Sequence, residues 1–324
     1  MVSTGSTGST DYDSALRAFA AEIGPDEPVC VRGGATRWRL GGEPAAGARE
    51  VRAPVGVVAF EPAEMTVRVR AGTTVSELHR ELASAGQRTA LPERDGGTVG
   101  GALMAGESSI ARLGRGPVRE ALLQARYVCA DGRIASGGAG TVKNVSGFDL
   151  CRLLVGSLGT LGLLGEALLR TFPAPEIERW VHLSGADPGT AQACRTAASV
   201  LWDGSGVWAL LSGYEPDVDE DLSRLSGCSD AAGPPELPPH RWICTPAEAA
   251  GFVEHAASVG ADFDGRDASA GRFVAEIGVG VVHASAPQPQ RTVAPGVEEL
   301  NRRFKQRFDP SGRLNPGRDP LRKN

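Results

Sequence analysis

Two periods of apolar residues alternate along the chain and lay out its elements. Leu16, Phe19, Ala20 and Ile23 fall on one face of a helix predicted over Ser14 to Ile23, and Pro25 follows its end. Pro28 to Arg32 reads as a short strand running into Gly33 and Gly34. Strands are predicted around Val55 to Phe60 and Met65 to Arg70, the second alternating as Val67, Arg68, Val69, Arg70. Thr74 and Glu77 form a capping box ahead of Val75, Leu78, Leu82 and Ala85, and Gly86 closes that helix.

Leu122 to Cys129, the turn Asp131-Gly132 and Arg133 to Ser136 spell a hairpin. An apolar run from Leu158 to Phe172 ends at Pro173 and Pro175, the first domain boundary the pattern suggests. Beyond it, strand-like segments at Trp180 to Ser184, Val207 to Ser212 and Phe273 to Ser285 alternate with helical patterns at Thr190 to Leu201 and Pro246 to Val259, the latter capped by Thr245 with Glu248. Ser226 to Pro239, rich in Gly and Pro, reads as a surface loop. Val297, Leu300, Phe304 and Phe308 mark an amphipathic helix stopped by the turn Asp309-Pro310-Ser311-Gly312. One stretch, Thr141 to Glu166, fits neither period. Its glycines at 156, 159, 162 and 165 would each cost a helix roughly 1 kcal/mol relative to Ala, so close approach of the backbone to something else is expected.

Composition narrows the function classes. A chain of 324 residues allows one large domain or two modest ones, and the change of texture after Pro175 favours two. The apolar fraction of 41% is ordinary for a globular protein, and a net charge of -5 gives no electrostatic reason to expect nucleic acid. Six scattered cysteines without a C-x-x-C pair read as reduced thiols and not as ligands of zinc or an iron–sulfur cluster. No stretch has the apolar length to cross a bilayer. The N-terminus lacks a charged and apolar leader, so a cytoplasmic location is expected, with Val2 to Thr10 a disordered tail.

Three glycine-rich segments carry the candidate chemistry. Arg32-Gly33-Gly34-Ala35-Thr36-Arg37 follows a strand, where successive backbone amides can turn inward as an anion nest; by itself it reads more readily as a tight turn. Gly96-Gly97-Thr98-Val99-Gly100-Gly101 can pass close to a ligand or form a flexible loop, and matches neither a dinucleotide fingerprint nor a Walker A loop. The third is the glycine run already described.

Taken in order, RGG after a strand, an alternating strand closing at Ala71-Gly72, a helix, GGTVGG, a hairpin, K-N-V-S-G-F-D-L and G-S-L-G-T-L-G resembles the FAD-binding domain of the vanillyl-alcohol oxidase/p-cresol methylhydroxylase (PCMH) superfamily. The likeness spans about Val29 to Phe172 and resumes at Phe308-Asp309-Pro310 and Leu314-Asn315-Pro316-Gly317-Arg318. Within the superfamily it is strongest to FAD-binding subunits of glycolate oxidase, through KNV-x-G-[YF]-D and the closing LNPGR. The resemblance implies that Arg32, Gly33, Gly34, Ala35 and Thr36 receive the diphosphate, and that Gly97, Thr98, Val99, Gly100, Gly101, Gly159, Thr160 and Leu161 bracket the flavin. Asn144 and Asp149 are further candidates, either of which could equally fix a turn. Many relatives tether the flavin through a His in the first loop; here that loop offers Ala35, Thr36, Arg37 and Trp38, so non-covalent FAD is expected.

Related 2-hydroxyacid dehydrogenases carry a metal-ligating H-x-G-D-G-N-x-H in the second domain. The comparable strand here reads Glu276-Ile277-Gly278-Val279-Gly280-Val281-Val282-His283, with apolar residues at ligand positions, so no metal site is expected. His283 reads first as a strand-end His satisfied by a hydrogen bond and second as a general base. Arg318 is a catalytic candidate that could meet a carboxylate or the flavin edge, or be a solvated surface charge.

The resemblance thus implies an α+β protein: a PCMH-type FAD-binding domain of two α+β subdomains over residues 11–175, a smaller ferredoxin-like cap or substrate domain over 176–285, and a C-terminal segment, 286–324, returning to the first domain. It implies an FAD-binding oxidoreductase subunit that passes electrons from a small 2-hydroxy acid to partners, a catalytic flavoprotein paralogue and an iron–sulfur subunit. Two alternatives stay open: a stand-alone FAD-dependent alcohol or hydroxyacid oxidoreductase, and a non-catalytic assembly subunit of such a complex, which the apolar Val279 and Val281 favour.

Overall fold

The computed structural model describes residues 9–138, 150–246, 248–249, 272–288 and 293–322. They form two compact units, one from Met1–Ser109, Pro117–Ala174 and Thr292–Lys323, the other from Ile110–Gly116 and Pro175–Arg291.

In the first unit, helix α1 (Ser9–Ile23) begins inside the segment read as a tail and buries Leu16, Phe19 and Ile23. Strand β1 (Val29–Val31) runs parallel to β2 (Arg49–Val51), and Phe19, Ile23, Val29 and Val51 share a small core with Leu314 from the C-terminal segment. Strands β3 (Val57–Glu61), β4 (Thr66–Arg70), β6 (Leu122–Val128), β7 (Ile134–Gly138) and β8 (Leu163–Arg170) make an antiparallel sheet in the order β3-β4-β8-β6-β7. A two-residue pairing of β5 (Gln87–Arg88) with β9 (Phe172–Pro173) lies beside it. On β4 the alternation does what its period demands: Val67 and Val69 are buried while Arg68 and Arg70 stay partly exposed.

Helices α2 (Val75–Ala83), α3 (Val99–Ala105) and α5 (Leu150–Leu154) contribute to the main core. The capping box on α2 is complete: Thr74 Oγ1 accepts from the Glu77 amide at 3.2 Å, and Glu77 Oε2 accepts from the Thr74 amide at 3.1 Å. The late glycines of the Thr141–Glu166 stretch turn out to serve packing: Gly162 lies against the Tyr127 ring and Gly165 against Leu16, where any side chain would collide. The C-terminal helix Pro295–Phe308 packs Phe304 and Phe308 on the same core, but Val297 and Leu300 are exposed, so its apolar face is buried only toward its end.

The second unit starts with β10 (Ile177–Ser184), α6 (Pro188–Gln192), β11 (Ala197–Trp202), β12 (Gly206–Gly213), α7 (Glu215–Arg224) and β13 (Ser229–Ala231). Their β-α-β-β-α-β succession and antiparallel order β13-β10-β12-β11 are the ferredoxin-like arrangement. Strands β14 (His240–Ile243), β15 (Phe273–Glu276) and β16 (Val281–Ala284) extend the sheet beyond β11 to seven strands in the order β13-β10-β12-β11-β15-β16-β14.

The helix expected from Thr190 to Leu201 is corrected here. It stops at Gln192, and Ala197–Trp202 is an internal strand buried at every position. One side of this strand enters the core under α6 and α7; on the other, Ala198 packs with Ala111 beside α4 (Arg112–Arg115). A strand covered on both faces shows no alternation, which is why its apolar run imitates a buried helix. The Thr245–Glu248 cap is in place at 2.7 and 3.1 Å, and residues 246, 248 and 249 are helical, while the rest of the helix expected over Pro246 to Val259 lies outside the described residues.

Candidate functional site

Strand β1 delivers the chain to a loop whose backbone is largely unspent. The amides of Gly33, Gly34, Ala35, Thr36 and Arg37 donate to no protein acceptor among the described residues, and Ala35 sits in the left-handed region at φ 57°. The loop is half-buried to exposed, so these amides are open to water or a ligand, and successive amides around a left-handed residue can form an anion nest. Glycine is required at position 34 because a Cβ there would overlap the carbonyl of Gly96. The loop therefore packs backbone to backbone against the second glycine segment.

Between these segments lies a cavity of about 350 Å³. Thr98, Gly100 and Gly101 at the start of α3 face it, and Met104, Leu158, Leu163 and Leu164 supply apolar wall. Thr98 Oγ1 caps α3 by accepting from the Gly101 amide at 3.1 Å. Asn315, at φ 43°, joins two walls: its Oδ1 accepts from the Val31 amide at 3.0 Å and its Nδ2 donates to the Leu158 carbonyl at 2.6 Å.

Four arginines, Arg32, Arg37, Arg52 and Arg318, line the cavity, and none of its lining residues among those described is acidic. Arg32 is paired with Glu50 at 3.1 Å and Arg37 with the buried Glu107 at 2.6 Å. Burial lowers the pKa of the Arg318 guanidinium, with Glu43 opposing. Burial and Glu50 push the thiol of Cys30, also on the wall, above its ordinary value, and the positive charges of Arg318 and Arg32 only partly offset this.

Of the residues expected to bind cofactor, Arg32, Gly33, Gly34, Ala35 and Thr36 line the cavity, as do Thr98, Gly100, Gly101 and Gly159. Four others do not. Gly97 is spent on the Arg94 carbonyl at 2.8 Å, Val99 and Leu161 are in the main core, and the Thr160 hydroxyl donates to the Ser157 carbonyl at 2.8 Å. Gly97 precedes the Thr98 cap and its amide closes back on Arg94, while Val99, the first residue of α3, lies on the face of the helix that packs into the core. Asn144 and Asp149 lie outside the described residues. Arg318, expected near the chemistry, is on the wall beside Trp38.

His283 belongs to the second unit, on β16, where it is buried with Nε2 2.8 Å from Oε1 of the buried Glu276. The two side chains answer each other. Trp38, Arg37, Arg52 and Asn315 were not singled out by sequence; Asn315 sits in the quoted LNPGR and Trp38 closes the first loop, but nothing in the sequence signals Arg52.

A free-amide loop, an excess of guanidinium groups and an apolar far end define a domain for a dinucleotide cofactor, polar for its phosphates and apolar for a ring system. Residues 14–138 match the family model described as FAD binding domain. Among curated proteins it is 28% identical over 228 residues to glycolate oxidase subunit GlcE of Escherichia coli K12, covering 67% of this chain and 65% of that one. It is 42% identical over 82 residues to a D-lactate dehydrogenase of Archaeoglobus fulgidus and 37% identical over 82 residues to glycolate oxidase subunit GlcD of Bacillus subtilis. Each of those matches covers 25% of this chain, and 18% and 17% of the relatives respectively. This chain thus spans less than two thirds of the length of each of the three.

A solved alkyldihydroxyacetonephosphate synthase superposes with TM-score 0.64 at 14% identity, covering 95% of this chain and 74% of that one, and shares the fold. No helix among the described residues is long and apolar enough to cross a membrane.

Proposed function

We propose that this chain is an FAD-dependent oxidoreductase subunit of the glycolate oxidase kind, taking electrons from a small 2-hydroxy acid and passing them to partner subunits, one a catalytic flavoprotein paralogue and one holding an iron–sulfur cluster. The observation that carries the reading is the row of five amides, Gly33 to Arg37, without a protein acceptor among the described residues, beside a cavity that those residues line with four arginines and no acid. When bound, FAD supplies the two-electron chemistry. The protein's own residues bind and orient it: the nest meets the diphosphate, and Met104, Leu158, Leu163 and Leu164 offer a dry wall to the ring system.

Non-covalent binding is supported by a wall that holds no histidine among the described residues, and whose thiol, Cys30, is held toward its neutral, unreactive form. In this reading residues 11–175 with 286–324 hold the cofactor, residues 176–285 are the cap toward the substrate, and the six free cysteines suit the cytoplasm.

A second reading, a flavin-holding subunit that assembles with a catalytic paralogue, is favoured by the Glu276–His283 hydrogen bond, which engages the imidazole otherwise available as a base. Two measurements separate these readings. Flavin absorbance near 375 and 450 nm that stays in solution after acid precipitation supports non-covalent FAD; a colourless protein that takes up no added FAD sinks the cofactor assignment. Bleaching of the isolated chain by glycolate or D-lactate supports catalysis by this chain, whereas bleaching only after a paralogue is added supports assembly.

A further inference from the structure

Trp38 is shared by two guanidinium groups, with Cζ of Arg32 5.0 Å and Cζ of Arg318 4.8 Å from its ring centroid. Such contacts are attractive through the ring's negative face, more so when desolvated. Arg318 also donates from Nη1 to the Leu40 carbonyl at 2.9 Å and to the Gly42 carbonyl. Backbone bonds reinforce the join: the Ala45 amide donates to Pro316 at 2.8 Å and the Asp319 amide to Gly41 at 2.7 Å. The stretch that follows the free amides is therefore fastened from outside, by the C-terminal segment.

The charges on the wall fall into two pairs. Arg32 and Arg37 are answered by Glu50 and Glu107, whereas Arg52 and Arg318 have no carboxylate partner among the described residues. Two uncompensated cations beside a row of free amides suit a ligand bearing a diphosphate.

We propose that Arg318 is a positioning residue: clasped on Trp38 and on the Leu40 and Gly42 carbonyls, it holds the Gly33–Arg37 loop with its amides turned to the cavity and thereby sets affinity for the diphosphate of a bound dinucleotide. It acts on binding and not on the redox step. The proposal rests on the FAD reading above and deepens it. Lysine replaces the arginine poorly, because an ammonium point charge does not stack flat on an indole as the guanidinium plane does.

The test titrates the full chain and the variants Arg318→Lys, Arg318→Gln and Trp38→Leu with FAD and with ADP, which carries a diphosphate and no flavin. All three variants are expected to lose about tenfold in affinity for both ligands, lysine included, while the visible spectrum of FAD at saturation stays that of the unmodified chain. Unchanged affinities, or full retention by Arg318→Lys, overturn the clasp. A shifted spectrum at unchanged affinity also overturns it, by putting Arg318 at the flavin ring. ADP binding by the unmodified chain without FAD binding leaves the clasp standing and removes the FAD reading; failure to bind either removes both.

Discussion

The Gly33–Arg37 loop, which stays partly exposed, and the buried Glu276–His283 pair are both rich in polar groups, yet those groups end in opposite states. The loop keeps five amides without a protein acceptor among the described residues and gathers cations around them. The pair spends its polar atoms on each other at 2.8 Å. Solvent-accessible amides beside a cavity are open to the oxygens of a ligand, whereas a buried hydrogen-bonded pair supports the sheet it sits on. The difference teaches that a residue type suited to catalysis, such as His283, carries less information than what its neighbours have already done with it.

The hardest blow to this contrast is Gly34→Val. Its side chain would overlap the Gly96 carbonyl and push the two glycine segments apart, and a loss of FAD affinity on the order of a hundredfold is expected. Flavin content of the purified variant checks this; full flavin content would show that the nest is not the binding loop. Asn315→Ala comes next. It strands the Val31 amide and the Leu158 carbonyl, at about 3 kcal/mol of stability in all, and should also weaken FAD binding, as read by thermal melting and titration.

Glu276→Ala should behave differently. Removing the acceptor of His283 costs about 2 kcal/mol by thermal melting while FAD affinity stays unchanged. A fall in FAD affinity with no loss of stability would erase the distinction between the two regions.

The smallest effect is with pH. Burial raises the Cys30 pKa in the folded chain, so its contribution to stability is fully present below the ordinary thiol range and is lost as pH rises through the folded value. Melting temperature should therefore drop between pH 8 and 10, and Cys30→Ala should flatten that drop; an unaltered profile would remove Cys30 from the account.

Much of the fold is legible because local chemistry and period agree. The Thr74–Glu77 cap, the alternation of β4 and the Asp131-Gly132 hairpin each follow from residues within a few positions of one another. Ala197–Trp202 is not legible, since a strand buried on both faces has the same apolar texture as a buried helix, and only its neighbours in the sheet decide. The glycines at 162 and 165 are legible as a constraint but not as to its cause, which is the Tyr127 ring and the Leu16 side chain far off in sequence.

The sequence by itself determined which segments could be loops for a diphosphate, because glycine at set spacing after a strand is a local property of the backbone. Tertiary structure decided which of those residues face the cavity and which, like Gly97, Val99, Thr160 and Leu161, are spent elsewhere. It also brought Asn315 and Arg318 to a loop nearly three hundred residues away in the chain, at 3.0 and 2.9 Å from its backbone or that of the residues flanking it. Contacts of that span depend on how strands and helices pack, and packing is settled by the whole core at once, not by any local stretch of residues.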